Sequence, residues 1–158
     1  MKTNLKILMA MDGSEQSLNA VRYLGEAFPA EGTQVVLFNV KATVPESFFD
    51  IRKDEGFRSA MVSISAWDAH TRKEMETFMV RAKAELMEAG FPDNRVITRI
   101  HAKRAGIARD ILLESYSGYH AVVVGRTGTS KIKDFVLGSV ANKIVGKIPH
   151  LPVVVEGV

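Results

Sequence analysis

Apolar residues along this chain follow two alternating rhythms. Five short runs are almost unbroken: residues 6–11 (KILMAM), 34–40 (QVVLFNV), 95–101 (RVITRIH), 121–124 (AVVV) and 152–156 (PVVVE). Runs of that length, rich in β-branched residues, suit parallel strands covered on both faces. Between them, apolar residues recur at three- and four-residue steps, as one buried face of a helix does. Leu18, Val21, Leu24 and Phe28 mark the first such stripe. Trp67, Thr71, Met75, Phe78, Ala82 and Leu86 mark the second, which stops at Gly90 and Pro92. A short helix over 106–116 turns Ile107, Ile111 and Leu112 inward, and Val140, Ile144, Val145 and Ile148 mark a last one. Trp67, Met75, Phe78 and Met79 read as core.

Strand alternating with helix along the whole length predicts one α/β domain over residues 1–158. Its expected form is an open, Rossmann-like parallel sheet of five strands with helices on both faces. Such sheets bind ligands beyond the carboxyl ends of their strands, where the strand order reverses. One stretch breaks the rhythm. Residues 42–65 carry neither period and read as an irregular insert, too long for an idle connection.

Composition narrows the function classes. With 46% hydrophobic and 25% charged residues the chain has the ordinary soluble mixture. No apolar run nears the ~20 residues that span a bilayer, so no membrane is expected. The absence of cysteine excludes disulfides and thiolate metal sites, and a cytoplasmic location is the expectation. The formal charge of +3 is spread among nearly as many acids, which leaves nucleic-acid binding unsupported. His70, His101, His120 and His150 lack metal-ligand spacing, so no metal site is expected on the protein itself.

The densest chemical signal is VVVGRTGTSKIKDFVLGSVANKI, residues 122–144. Gly125 follows the fourth strand directly, and Gly138-Ser139 directly precede the last helix. Ser139 is a natural N-cap, and the free N–H groups at Gly138, Ser139 and Val140 suit an anion, together with those around Gly128. One helix end attracts an anion by only about 0.3–1 kcal/mol, so a phosphate chain needs several donors at once. Neither the Walker A string nor the dinucleotide fingerprint occurs. After the first strand stands Asp12-Gly13-Ser14, and Asp12-x-x-Glu15 has the spacing of a capping box.

G-x2-G-x9-G-[ST] between a hydrophobic strand and a helix resembles the nucleotide-binding signature of the universal stress protein family. It stands here as Gly125, Gly128, Gly138 and Ser139. KILMAMDGSEQSLNAVRYL resembles the family's opening strand, turn and first helix, and LGSVANKIVGKIPHLPVVV its closing helix, turn and last strand. The likeness covers essentially everything except 42–65. It departs at Asn39, where the family commonly has His, at His120, where an acid is common, and at the loose Gly-x-Pro before the short helix.

The resemblance implies an ATP-binding domain, with Mg²⁺ or Mn²⁺ on the nucleotide, that forms homodimers. It assigns Asp12 to the ribose or adenine side and the Val40 backbone to the adenine edge. The ribose and phosphates fall to Gly125, Gly128, Gly138, Ser139 and Val140, with Arg126 in reach of a phosphate. The C-terminal strand has an apolar edge that suits pairing with a second copy.

No catalytic residue is assigned. Hydrolysis needs a positioned water and charge stabilisation in the transition state, and Asp12 belongs to the other end of the nucleotide. Lys131 and Lys133 lie in the glycine segment within reach of the outer phosphates, and Asp134 within reach of a cation. The expected function is an ATP-binding, nucleotide-dependent stress-response or signalling module with little or no turnover. Two alternatives stay open: a slow Mg- or Mn-dependent ATPase, and a nucleotide-free interaction protein acting through 42–65.

Overall fold

A computed structural model describes residues 4–42, 55–126 and 138–157. The chain runs β1 (Leu5–Met11), α1 (Glu15–Ala27), β2 (Thr33–Lys41), α2 (Glu55–Glu88), a 3₁₀ turn (Asp93–Arg95), β3 (Val96–Ala102), α3 (Ile107–Ser115), β4 (Ala121–Gly125), α4 (Ser139–Lys147) and β5 (Val153–Glu156). The strands form one parallel sheet in the order β3-β2-β1-β4-β5. β1 is central, with β2 on one side and β4 on the other. The expected α/β sheet is the one observed.

Each face of the sheet carries its own apolar layer. On one, Ile7, Met9, Leu18, Val21, Leu24, Leu37, Met79, Ala82 and Leu86 pack β1 and β2 against α1 and α2. On the other, Leu8, Val36, Phe38, Val122, Ile111, Ala141 and Ile144 pack the same strands against α3 and α4. Neighbouring β1 residues thus enter opposite cores, which explains why the strand sequences are apolar without alternation. Fully burying each Leu, Ile or Phe contributes about 1.5–3 kcal/mol.

α1 and α2 lie unusually close at one point. A methyl group on Gly25 would stand 3.0 Å from the Ala89 Cβ and 3.6 Å from Leu86 Cδ2. Gly25→Val is therefore expected to destabilise the fold by about 1–3 kcal/mol, read as a lower urea midpoint. An unchanged midpoint would mean that the two helices can move apart at no cost.

Three local expectations are corrected. α2 starts at Glu55, so residues 55–65 are helical rather than irregular; 43–54 lie outside the described residues. Ser14, not Asp12, caps α1: its side chain accepts the Ser17 N–H at 3.1 Å. The N-cap of α4 is Gly138, and Ser139 is its first helical residue, with no side-chain capping bond.

Candidate functional site

A cleft of about 520 Å³ opens at the carboxyl ends of β1, β2 and β4. The strand order reverses between β2-β1 and β1-β4, so the cleft lies where the topology leaves a crevice. Its walls come from both layers: Trp67, Thr71 and Met75 from α2, and Ile107 and Ile111 from α3.

Asp12 stands at the end of β1 and lines the cleft. One of its carboxylate oxygens, Oδ1, accepts the Ser14 N–H at 2.9 Å and the Ser14 hydroxyl. That turn fixes the side chain and leaves Oδ2 without a partner among the described residues. Gly13 makes the turn possible with φ at 81°, and a side chain there would meet the tip of Met75 at 3.0 Å. Glycine thus lets α2 sit down on the β1 end.

At β2 the ladder to β1 stops at Met11–Asn39, while β2 itself continues to Lys41. The Lys41 carbonyl accepts the Lys103 N–H on the β3 side. Strand alternation turns the Val40 backbone groups toward β1: the Met11–Asn39 pair engages the Val40 N–H, and the Val40 carbonyl, past the end of the ladder, is left open. Asn39 donates its amide to the Met11 carbonyl at 2.8 Å, and its buried Oδ1 has no partner among the described residues. Lys41 is ion-paired to Asp68, which ties the α2 wall to this strand end.

Opposite lies the end suited to an anion. α4 begins at Ser139, and the N–H groups of Ser139, Val140 and Ala141 have no acceptor among the described residues. Gly138 itself is not one of these donors, because its N–H goes to the Arg126 carbonyl at 2.7 Å. The Arg126 N–H in turn donates to the Glu156 carbonyl at 2.6 Å. One peptide segment therefore joins the ends of β4 and β5 to the start of α4. The Arg126 side chain lines the cleft with its Nε buried and unpartnered among the described residues.

The cleft brings together Asp12, Val40, Gly125, Arg126, Gly138, Ser139 and Val140. Gly128, Lys131, Lys133 and Asp134 lie outside the described residues. Three residues read as inward-facing do otherwise. Trp67 is 59% exposed and Ile107 41% exposed, and both line the cleft instead of filling a core. Met79 is buried as expected, and Met75 and Phe78 pack against the same core. Val145 also faces outward.

A family model described as the universal stress protein family matches residues 3–155, nearly the whole chain. This chain belongs to the universal stress protein family. A curated relative, universal stress protein MJ0531 of Methanocaldococcus jannaschii, is 26% identical over 95% of this chain and 80% of its own length. Among solved structures the hypothetical protein MJ0577 superposes with a TM-score of 0.72 at 22% identity, covering 97% of this chain and 95% of that one. An Archaeoglobus fulgidus universal stress protein solved in complex with dAMP superposes at 0.60 with 16% identity, covering 98% of both chains. A universal stress protein solved in complex with cAMP gives 0.59 at 20%, covering 97% of this chain and 96% of that one. At these identities the structural likeness speaks to the fold. This universal stress protein shares the five-stranded architecture. Among its described residues no helix is long and apolar enough to cross a membrane, and no group of three or more acids and histidines is placed to hold a metal ion.

One buried acid lies just outside the cleft and escaped the sequence reading. Asp110 of α3 is 3% exposed and accepts the backbone N–H groups of Arg104 at 2.7 Å and Ala105 at 3.0 Å. Burial alone would raise its carboxyl, but those two donors, with His101 and Arg104 nearby, hold it below the usual aspartate range. It fixes the β3–α3 turn from which Ile107 enters the cleft wall.

Proposed function

We propose that this universal stress protein binds ATP in the cleft and acts as a nucleotide-dependent stress-response or signalling module with little or no turnover. The observation that carries the reading is a convergence of open groups. Three free N–H groups at the start of α4 lie on the same cleft as Arg126, whose buried Nε has no partner among the described residues, the open Val40 carbonyl and Asp12. Helix-end donors and a guanidinium suit phosphates. The open Val40 carbonyl suits the exocyclic amino group of adenine, and Asp12 suits a ribose hydroxyl. Adenine mononucleotides bound to two family members support the choice of base.

Turnover is expected to be slow because Asp12, the one acid lining the cleft among the described residues, is assigned here to the ribose, which leaves no base for water at an outer phosphate. Mg²⁺ or Mn²⁺ would arrive on the phosphates. The reading sets the protein in the cytoplasm and pairs two copies through the β5 edge.

The deciding experiment is to denature protein purified from cells and identify the released small molecules by chromatography and mass spectrometry. Bound ATP is the expected result. ADP or AMP in its place would favour slow hydrolysis. A protein that is empty, and that shows no calorimetric response to Mg-ATP, would overturn the reading and turn attention to residues 42–65.

A further inference from the structure

The two ends of the cleft differ in chemistry. The β4–α4 end offers donors; the β2 end offers an indole. Trp67 sits on α2 with Thr71 and Met75 at four-residue steps below it, all three lining the cleft. The neighbouring Asp68 is ion-paired to Lys41 at the end of β2, which fixes this turn of the helix above that strand. A large apolar side chain left 59% exposed on a fixed wall, above an open carbonyl, has surface ready to be covered by a flat ring. Across the cleft, Ile107 of α3 presents a second exposed apolar surface.

We infer that Trp67 is a base-binding residue of the cleft, its indole stacking on the nucleobase of a nucleotide whose phosphates lie toward Arg126 and α4. This rests on the nucleotide reading above, and deepens it. Stacking on an aromatic face tolerates any base, so Trp67 supplies affinity for a base as such. Choice among bases falls to the β2 edge. There Asn39 Nδ2 is spent on the Met11 carbonyl, and Val40 offers its carbonyl. The division gives each end of the ligand its own determinant, so the two are separable by mutation.

Trp67 is the sole tryptophan of the chain, so its emission reports on this position alone. Titration of the full chain with Mg-ATP is expected to change the emission, saturating at the affinity that calorimetry gives. Trp67→Ala, at an exposed position, is expected to lose about tenfold to a hundredfold in ATP affinity. Trp67→Phe keeps most of that affinity, and binding of inorganic tripolyphosphate is the same in all three proteins. Calorimetric binding of ATP with unchanged emission and an unaltered Trp67→Ala would overturn the inference while leaving the nucleotide reading intact. Equal losses for the Phe and Ala variants, or a matching loss for tripolyphosphate, would overturn it too, since neither fits a ring stacked on a base. Failure of the unaltered protein to bind ATP removes both readings together.

Discussion

Ser139→Asp is expected to lower ATP affinity about a hundredfold or more while leaving the fold as stable as before, or slightly more so. Ser139 is the first residue of α4 and is exposed at the cleft wall beside the three open N–H groups. A carboxylate there would itself occupy the positive end of the helix, adding about 0.3–1 kcal/mol of stability. The same charge would stand against the phosphates. Unit charges 4 Å apart repel by about 4 kcal/mol at an effective dielectric constant near 20, and less where water screens them. About 2.7 kcal/mol of that surviving would be a hundredfold. Ser139→Asn, uncharged and of the same size, is the control and should bind far better than the Asp variant. Calorimetry and thermal melting read the two effects separately. Unchanged ATP affinity in Ser139→Asp would remove the start of α4 from the site.

Asp110→Asn is expected to destabilise the protein by about 2–3 kcal/mol, because two backbone donors lose a charged acceptor that is buried in α3. The sign of the accompanying pH effect follows from the lowered carboxyl. Below the ordinary aspartate value the unfolded chain binds a proton that the folded chain still refuses, so stability there rises with pH. The contribution is complete above about pH 4 and is lost as pH falls through the lower folded value. The Asn variant should therefore be less stable at pH 7 and lose stability less steeply on acidification below about pH 4. Urea midpoints measured from pH 2.5 to 7 test this. Parallel curves for the two proteins would mean that Asp110 carries no charge-dependent stabilisation.

The strands were legible because each is buried on both sides, and a continuous run such as VVLF in β2 has few other uses. The helical stripes were legible where a helix lies over the sheet, as Met79, Ala82 and Leu86 do. The same stripe misled at Trp67. Its position continues the pattern through Thr71 and Met75, but by then α2 has passed the strand ends and faces the cleft. Within 55–65 the half-buried Met61 and Ile64 stand three residues apart among exposed Val62, Ser63 and Ser65, too short a stripe to read as a helix. Capping went astray by one or two residues. Asp12 and Ser14 are chemically alike as caps, and only the turn at Gly13 decides that Ser14 takes the helix while Asp12 holds Ser14. Of the glycine pattern, Gly125, Gly138 and Ser139 line the cleft. The pattern gave no sign that the Gly138 N–H is committed to Arg126, because backbone partners three-dimensional in origin leave no trace in residue type.

That commitment has a wider consequence. The Arg126 peptide is held on one side by Glu156 at the end of β5 and on the other by Gly138 at the start of α4, while its side chain reaches into the cleft. A ligand drawn to the guanidinium therefore pulls on the outermost strand of the sheet. If two copies meet along β5, the filling of the cleft and the meeting of the copies are not separate equilibria. Whatever factor the nucleotide applies to association, association must return to the nucleotide in equal measure.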